Sequence, residues 1–236
     1  MEKQVDRRGR VIIEQTPYDG MRKIIGDRML NSLNTVGQGT QMCRFDMSKL
    51  VAYREKLKEE GLKVSYTDLM AKAIAAALPF SPKINSTLEK NNITVFETVN
   101  MGIAVKVDDD LIVPVILDVG NKTLAELSEA TKDTIQKTRE RRFGEVYMAG
   151  ATITLNNLGM YNVEACTPIV NTPETAIIAM GKIAKDAWVD ENDQLCVRPV
   201  STISISINHA VVDGGQTGMF LDALKVVLDE PEKYIK

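Results

Sequence analysis

The clean alternation that ends the segment 199–207 constrains the fold most strongly. Apolar and hydroxyl-bearing side chains take turns here, with Ile203, Ile205 and Ile207 opposed to Thr202, Ser204 and Ser206. A period of two residues predicts a β-strand, because successive side chains of a strand point to opposite faces. The chain must therefore build a sheet around this strand.

The order of the other predicted elements sets the fold class. Apolar spacing and end signals predict helices over 19–37, 46–61, 65–78, 123–142 and 215–228. Strands are predicted at 40–46, 93–97, 101–107, 111–117, 151–156, 175–183 and 199–207, with a hairpin turn at 108–110 and another near 190–193. Because strands and helices do not alternate strictly, we expect an α+β two-layer sandwich with a mixed sheet.

The length indicates one large domain. A chain of 236 residues suits a single α/β domain with a sizeable core. Residues 1–18 are expected to form an extended N-terminal arm ending at Thr16-Pro17. Asp19 is a plausible N-cap for the first helix, so the domain itself is expected to span residues 19–236.

Composition excludes several functional classes. The net charge of −3 argues against nucleic acid, which needs a basic face. Three cysteines, Cys43, Cys166 and Cys196, are far apart and lack CxxC spacing, so neither a disulfide framework nor a metal site is expected. No run approaches the roughly 18 apolar residues of a membrane span. These features predict a cytoplasmic protein.

A single histidine, His209, is the strongest candidate for chemistry. It follows the alternating strand and precedes the turn Asp213-Gly214-Gly215. Its unperturbed pKa lies close to neutral pH, which makes it a natural general base. A histidine beside an apolar run can equally be a packed, hydrogen-bonded residue, so its spacing alone leaves both interpretations open.

The sequence around the histidine resembles a known family. The segment His-Ala-Val-Val-Asp-Gly at residues 209–214 matches the His-x-x-x-Asp-Gly motif of chloramphenicol acetyltransferases and dihydrolipoamide acyltransferases. Further segments resemble the second family in the same order: residues 20–29, residues 46–50 with Arg54, residues 102–105 and 111–114, residues 157–160, and residues 173–181. The resemblance covers residues 16–232.

This resemblance implies a fold and an activity. The fold would be like that of chloramphenicol acetyltransferase, assembled as a homotrimer with active sites between subunits, and a larger cage stays open. Coenzyme A and dihydrolipoamide would be the substrates, in the core of a 2-oxo acid dehydrogenase complex. His209 would deprotonate the attacking thiol, and Asp213 would act structurally by pairing with an arginine, for which Arg22 and Arg28 are candidates.

The chain departs from the family pattern near the reacting groups. The family usually has a serine before Asn-Leu-Gly as the donor to the oxyanion, and here the residue is Asn156, whose carboxamide can also donate. Thr154 is a second candidate donor. The family's Asp-His-Arg is replaced by Asn208 and Ala210 around the histidine, so charge beside the base is lost.

The sequence leaves two alternative functions open. The Ala210 form favours a stand-alone O- or S-acetyltransferase like chloramphenicol acetyltransferase, and the altered site residues favour an inactive oligomeric scaffold. A lipoyl domain, expected as the acyl donor, is not visible, so the lipoyl group would come from a separate or missing domain. The sequence does not identify the acyl group.

Overall fold

The computed structural model describes residues 4–236 and contains six α-helices and eleven strands in that range. The helices are α1 (Gly20–Thr35), α2 (Ser48–Glu59), α3 (Tyr66–Ala77), α4 (Leu124–Arg139), α5 (Gly214–Asp229) and α6 (Pro231–Tyr234). The strands are β1 (Gln38–Asp46), β2 (Ser86–Glu89), β3 (Asn92–Val95), β4 (Met101–Ile103), β5 (Val105–Val107), β6 (Asp110–Ile112), β7 (Val115–Ile116), β8 (Ile153–Asn157), β9 (Ala176–Met180), β10 (Ala184–Val189) and β11 (Leu195–Asn208).

A seven-stranded mixed sheet forms the centre of the molecule. Its strand order is β1-β11-β9-β8-β4-β7, and β10 pairs with the first half of β11. The pairs β8–β9 and β4–β8 are parallel, whereas β1–β11 and β11–β9 are antiparallel. The prediction of a mixed sheet in an α+β fold is therefore confirmed.

The two faces of β11 are buried in different ways. Ile203, Ile205 and Ile207 join the main apolar core, against the layer that α2, α3, α4 and α5 form over the sheet. On the opposite face, Ser204 and Ser206 are also buried. That face is covered by the chain around residue 170, where Val170, Val36 and Ile177 form a second small apolar cluster.

Local end signals predict several helices correctly. Ser65 and Asp68 form a reciprocal capping box at the start of α3. Thr123 and Glu126 do the same for α4. Each box satisfies two backbone N–H groups that a helix start leaves free, so the signal operates without tertiary contacts.

The first helix leaves part of its apolar surface exposed. Met21, Ile24 and Leu33 are exposed, and Ser32 is the buried residue of α1. Asp19 occupies the N-cap position without a side-chain hydrogen bond. Ile25 packs against the main core, but the exposed apolar stripe of Met21, Ile24 and Leu33 faces away from it.

The predicted hairpin around 108–110 forms in two separate pieces. The strands β5 and β6 pair with each other, while β4 pairs with β7 in the main sheet. Pro114 lies at the interruption and lacks the N–H that a continuous ladder needs, although its carbonyl accepts a bond of 2.9 Å from Ile103 N. The strand β2 was missed by the sequence interpretation.

The amino-terminal arm has little regular structure between residue 4 and α1. Its one pairing is a bridge between Val5 and Val11, and Met1–Lys3 of the predicted arm lie outside the described residues. Within residues 4–236, no helix combines the length and the apolar character that a bilayer crossing requires.

Candidate active site

His209 lies directly beyond the end of β11, with its side chain exposed. Its backbone N donates to Gly37 O at 2.9 Å, and the preceding Asn208 N donates to Thr175 O at 2.8 Å. The backbone around the histidine is therefore fixed by neighbours on both sides, while the imidazole is open to a reactant or to another copy of the chain.

The turn after His209 is closed by Asn208. The Asn208 side chain is buried, and its Oδ1 accepts from Ala210 N at 3.1 Å. Its carbonyl accepts from Val211 N at 2.9 Å and from Val212 N at 3.0 Å. The asparagine that replaces the family's aspartate thus holds the turn as a neutral hydrogen-bond acceptor.

Asp213 serves as the N-cap of α5. Its carboxylate accepts from Gln216 N at 2.9 Å, and the Gln216 side chain accepts from Asp213 N at 3.3 Å. The expected arginine pair is not formed within residues 4–236. Arg22 pairs with Asp110 at 2.8 Å, and Arg28 donates to Thr172 O at 3.0 Å, so the structural role of Asp213 in this chain is a helix cap.

Asn156 lies near the end of β8, half-buried, beside a cavity of about 130 Å³. Ile103, Ala104 and Leu158 give this cavity an apolar side, and Lys106 and Arg139 lie at the same cavity. The next residue, Asn157, is held by Thr67 Oγ1 at 3.0 Å. The Asn156 carboxamide therefore borders an open space from a well-anchored strand end.

The hydroxyl of the other candidate donor, Thr154, already donates to a buried carboxyl group. Its hydroxyl donates to Glu174 Oε2 at 2.6 Å, and the residue is almost fully buried. Thr154 is thus unavailable to a substrate oxygen in this arrangement, which leaves Asn156 as the candidate donor on β8.

His209 and Asn156 do not meet within one chain. Asn156 pairs with Ala179, which pairs with Ser204, so the two residues are two strand spacings and five positions apart. Strand geometry converts this into a Cα separation of roughly 20 Å. A site that uses both residues needs two copies of the chain.

Three further titratable groups, on Cys43, Cys166 and Glu174, are partly or fully buried. Burial raises the pKa of the Cys43 and Cys166 thiols, which disfavours a nucleophilic thiolate at either position. Burial also raises the pKa of Glu174 to about 7. The sequence analysis included Glu174 only within residues 173–181, which resemble the family, and no local spacing distinguishes it there. Residues 4–236 contain no cluster of three metal-ligating side chains.

The structure has the fold of chloramphenicol acetyltransferase. A structure of that enzyme superposes with a TM-score of 0.56 at 13% identity, over 86% of this chain and 94% of the other. At this identity the likeness concerns the fold alone, which is the mixed-sheet α+β architecture that the sequence predicts.

Sequence comparison then establishes the family. The family described as 2-oxoacid dehydrogenases acyltransferase (catalytic domain) matches residues 12–235, and this chain belongs to it. The chain is 33% identical over 227 residues to the dihydrolipoyllysine-residue acetyltransferase component of the acetoin cleaving system of Bacillus subtilis. The match covers 94% of this chain and 57% of that protein, so the chain spans little more than half of its relative.

Two solved structures match along nearly the whole chain. One is the dihydrolipoamide acetyltransferase of Azotobacter vinelandii, studied for the catalytic roles of a serine, a histidine and an asparagine four residues after that histidine. The other is the cubic core of a pyruvate dehydrogenase multienzyme complex. Each has a TM-score of 0.89 and 29% identity, and covers 100% of this chain and 99% of its own.

Proposed function

We propose that this protein moves an acyl group between coenzyme A and the thiol of dihydrolipoamide, as the core of a 2-oxo acid dehydrogenase complex. The observation that carries the proposal is the exposed His209 at the end of β11 in a chain whose family catalyses this class of transfer. Its spacing to Asp213 equals the histidine-to-asparagine spacing studied in the Azotobacter enzyme.

In the proposed reaction His209 acts as the general base. The imidazole takes the proton of the attacking thiol, and the thiolate adds to the thioester carbonyl. The tetrahedral oxyanion then collapses, the original carbon–sulfur bond breaks, and the departing thiolate recovers the proton from the imidazolium. Coenzyme A is therefore a substrate, and no resident cofactor takes part in the proton transfer.

Asn156 is proposed as the donor to the oxyanion. Asn156 lines the cavity at the end of β8, and an amide donor placed in advance at a developing oxyanion can contribute a large part of the rate. The family's usual serine would donate a hydroxyl at this position instead. Asp213 contributes by capping α5, which follows the turn that carries His209.

The roughly 20 Å between His209 and Asn156 in one chain supports an oligomer in which neighbours share each site. We propose a homotrimer, since a ring of three gives every His209 an adjacent Asn156. The match to a cubic core extends this proposal to a larger cage. The exposed apolar stripe of α1 is available for such contacts.

The partner, compartment and chain division also remain proposals. A lipoyl domain, on a separate chain or on a part of the protein not contained in this sequence, would deliver the acyl group. We place the protein in the cytoplasm, where its three unpaired cysteines would remain reduced. We retain the division into an arm at 1–18 and a catalytic domain at 19–236.

The test is acyl transfer by purified protein with and without the histidine. The wild-type protein should transfer acetyl from acetyl coenzyme A to dihydrolipoamide, and His209→Ala should lower kcat by about three orders of magnitude, as for other removed general bases. Small alcohols run in parallel test the stand-alone alternative, which the comparisons do not favour. Full transfer by His209→Ala, or no transfer by the wild type, would refute the proposal, and the second result would favour a scaffold.

A further inference from the structure

Glu174 has a buried carboxyl group to which the proposed mechanism assigns no role. Its side chain is 2% exposed. Oε2 accepts from Thr154 Oγ1 at 2.6 Å, and Oε1 accepts from Asn171 Nδ2 at 2.6 Å. Burying a carboxyl is costly unless hydrogen bonds satisfy it, so this arrangement is specific and both oxygens are used.

One of these bonds reaches the strand that carries the proposed oxyanion donor. Thr154 lies on β8 two residues before Asn156, and in a strand this spacing places both side chains on the same face. The carboxyl of Glu174 thus binds β8 through Thr154, which is the preceding residue on the same face of the strand as Asn156. A change in this contact would shift or tilt Asn156 through a short, stiff length of strand.

The segment around Glu174 also holds the strand that carries the proposed base. The adjacent Thr175 accepts from Asn208 N at 2.8 Å, and Asn208 immediately precedes His209. The segment is itself fixed to β2, because Leu88 N donates to Pro173 O at 2.9 Å and Thr175 N donates to Ser86 O at 2.9 Å. One short stretch of chain therefore contacts both strands that present reacting groups.

We propose that Glu174 is a positioning residue for acyl transfer: through Thr154 it fixes β8 and Asn156 relative to the segment that holds the end of β11 and His209. This inference rests on the proposed function. Each site would combine groups from two copies of the chain. Loss of the Thr154–Glu174 contact would therefore displace both His209 and Asn156 at every site in the oligomer.

The charged groups around Glu174 are few. Arg28 of α1 and Glu89 of β2 line the same cavity of about 400 Å³. Desolvation raises the pKa of Glu174, while the bonds from Thr154 and Asn171 and the charge of Arg28 lower it, and the result is about 7. The neutral amide of glutamine is therefore a close mimic of the protonated carboxyl group that Glu174 itself adopts near pH 7.

The experiment compares Glu174→Ala with Glu174→Gln in the full chain. Glutamine retains an acceptor for Asn171 and a polar contact for Thr154, so it should keep kcat within about threefold of the wild type. Alanine should lower kcat about ten- to a hundredfold, as expected for misplacement on the order of 1 Å, with the KM for coenzyme A within about twofold. Glu89→Gln, on the same cavity, is the matched control and should leave both constants unchanged.

Thr154→Val provides a second route should Glu174→Ala fail to fold. It removes the hydroxyl at constant shape and should lower kcat about tenfold per folded protein. The matched variant Thr152→Val, on the same face and bonded to Asn100, should change kcat less than about twofold.

Two failures are distinguishable. If wild-type protein shows no transfer between coenzyme A and dihydrolipoamide, the proposed function fails and this inference falls with it. If the wild type is active but Glu174→Ala and Thr154→Val keep a normal kcat per folded protein, or lose only folded protein, the positioning role alone is overturned.

Discussion

His209 and Asn156 are held in place by different kinds of contact. The histidine extends from a strand end fixed by backbone bonds to Gly37 and Thr175, and its ring is exposed. Asn156 lies on a strand enclosed by two neighbours and supported by the buried Thr154–Glu174 pair. Asn208 adds one local side-chain bond to the turn that carries His209, whereas the strand that carries Asn156 depends on a side-chain bond from Glu174, which lies 20 positions from Thr154.

Beyond the loss expected for His209→Ala, the largest effect in this comparison is expected at Asn156. Asn156→Ala should lower kcat about a hundred- to a thousandfold, because an oxyanion donor is lost. Asn156→Ser, which installs the family's usual residue, should recover most of that loss. Steady-state kinetics with acetyl coenzyme A measures both. A kcat for Asn156→Ala within about threefold of the wild type would remove Asn156 from the mechanism.

The buried Thr154–Glu174 pair that supports Asn156 should also make the stability of the protein depend on pH in a distinctive direction. The pKa of Glu174 is raised from 4.5 to about 7, so the native state binds its proton more tightly than the unfolded state does. This contribution is complete below pH 4.5 and is lost as pH rises through 7. The free energy of unfolding of the wild type, relative to Glu174→Gln, should fall by about 3 kcal/mol across this window.

Denaturant titrations of both proteins at several pH values test this expectation. Subtracting the free energy of unfolding of Glu174→Gln from that of the wild type cancels the contributions of titratable groups that both proteins contain. A difference that stays flat, or grows as pH rises from 5 to 7, would contradict the assigned direction of the pKa shift.

The smallest effect is expected at the cap that follows His209. Asp213→Ala should lower the free energy of unfolding by about 1 kcal/mol, because the Gln216 N–H loses its partner. Asp213→Asn should lower it by only a few tenths, since asparagine caps helices as well. Thermal or denaturant unfolding measures both. Equal, large losses in the two variants would indicate that the carboxylate charge matters and that an ion pair is formed in the assembly.

Local signals allowed much of the fold to be predicted. The capping boxes at Ser65 and Thr123 and the alternation of β11 are set by residues a few positions apart. The strand β2 was missed because its residues Ser86–Glu89 are mostly polar and form a strand only by pairing with β3. The hairpin near Asp108–Asp110 was found, but its division into two ladders depends on which strands β4 meets in the sheet.

The candidate site was predictable in part, for the same reason. His209 and Asp213 lie together in the sequence, and their motif identifies them. The bond between Thr154 and Glu174 joins residues 20 positions apart, and no spacing rule relates them. The arginine pair suggested for Asp213 depends on the tertiary fold, which places Arg22 beside Asp110 instead.

The central claim, that each site takes its base and its donor from different chains, is tested most directly by complementation. His209→Ala and Asn156→Ala should each be nearly inactive alone. In trimers assembled from an equal mixture by co-expression, about a quarter of the subunit boundaries would pair an intact His209 with an intact Asn156. We predict that the mixed protein recovers about a quarter of wild-type kcat. Activity no higher than the sum of the two separate variants would contradict the account.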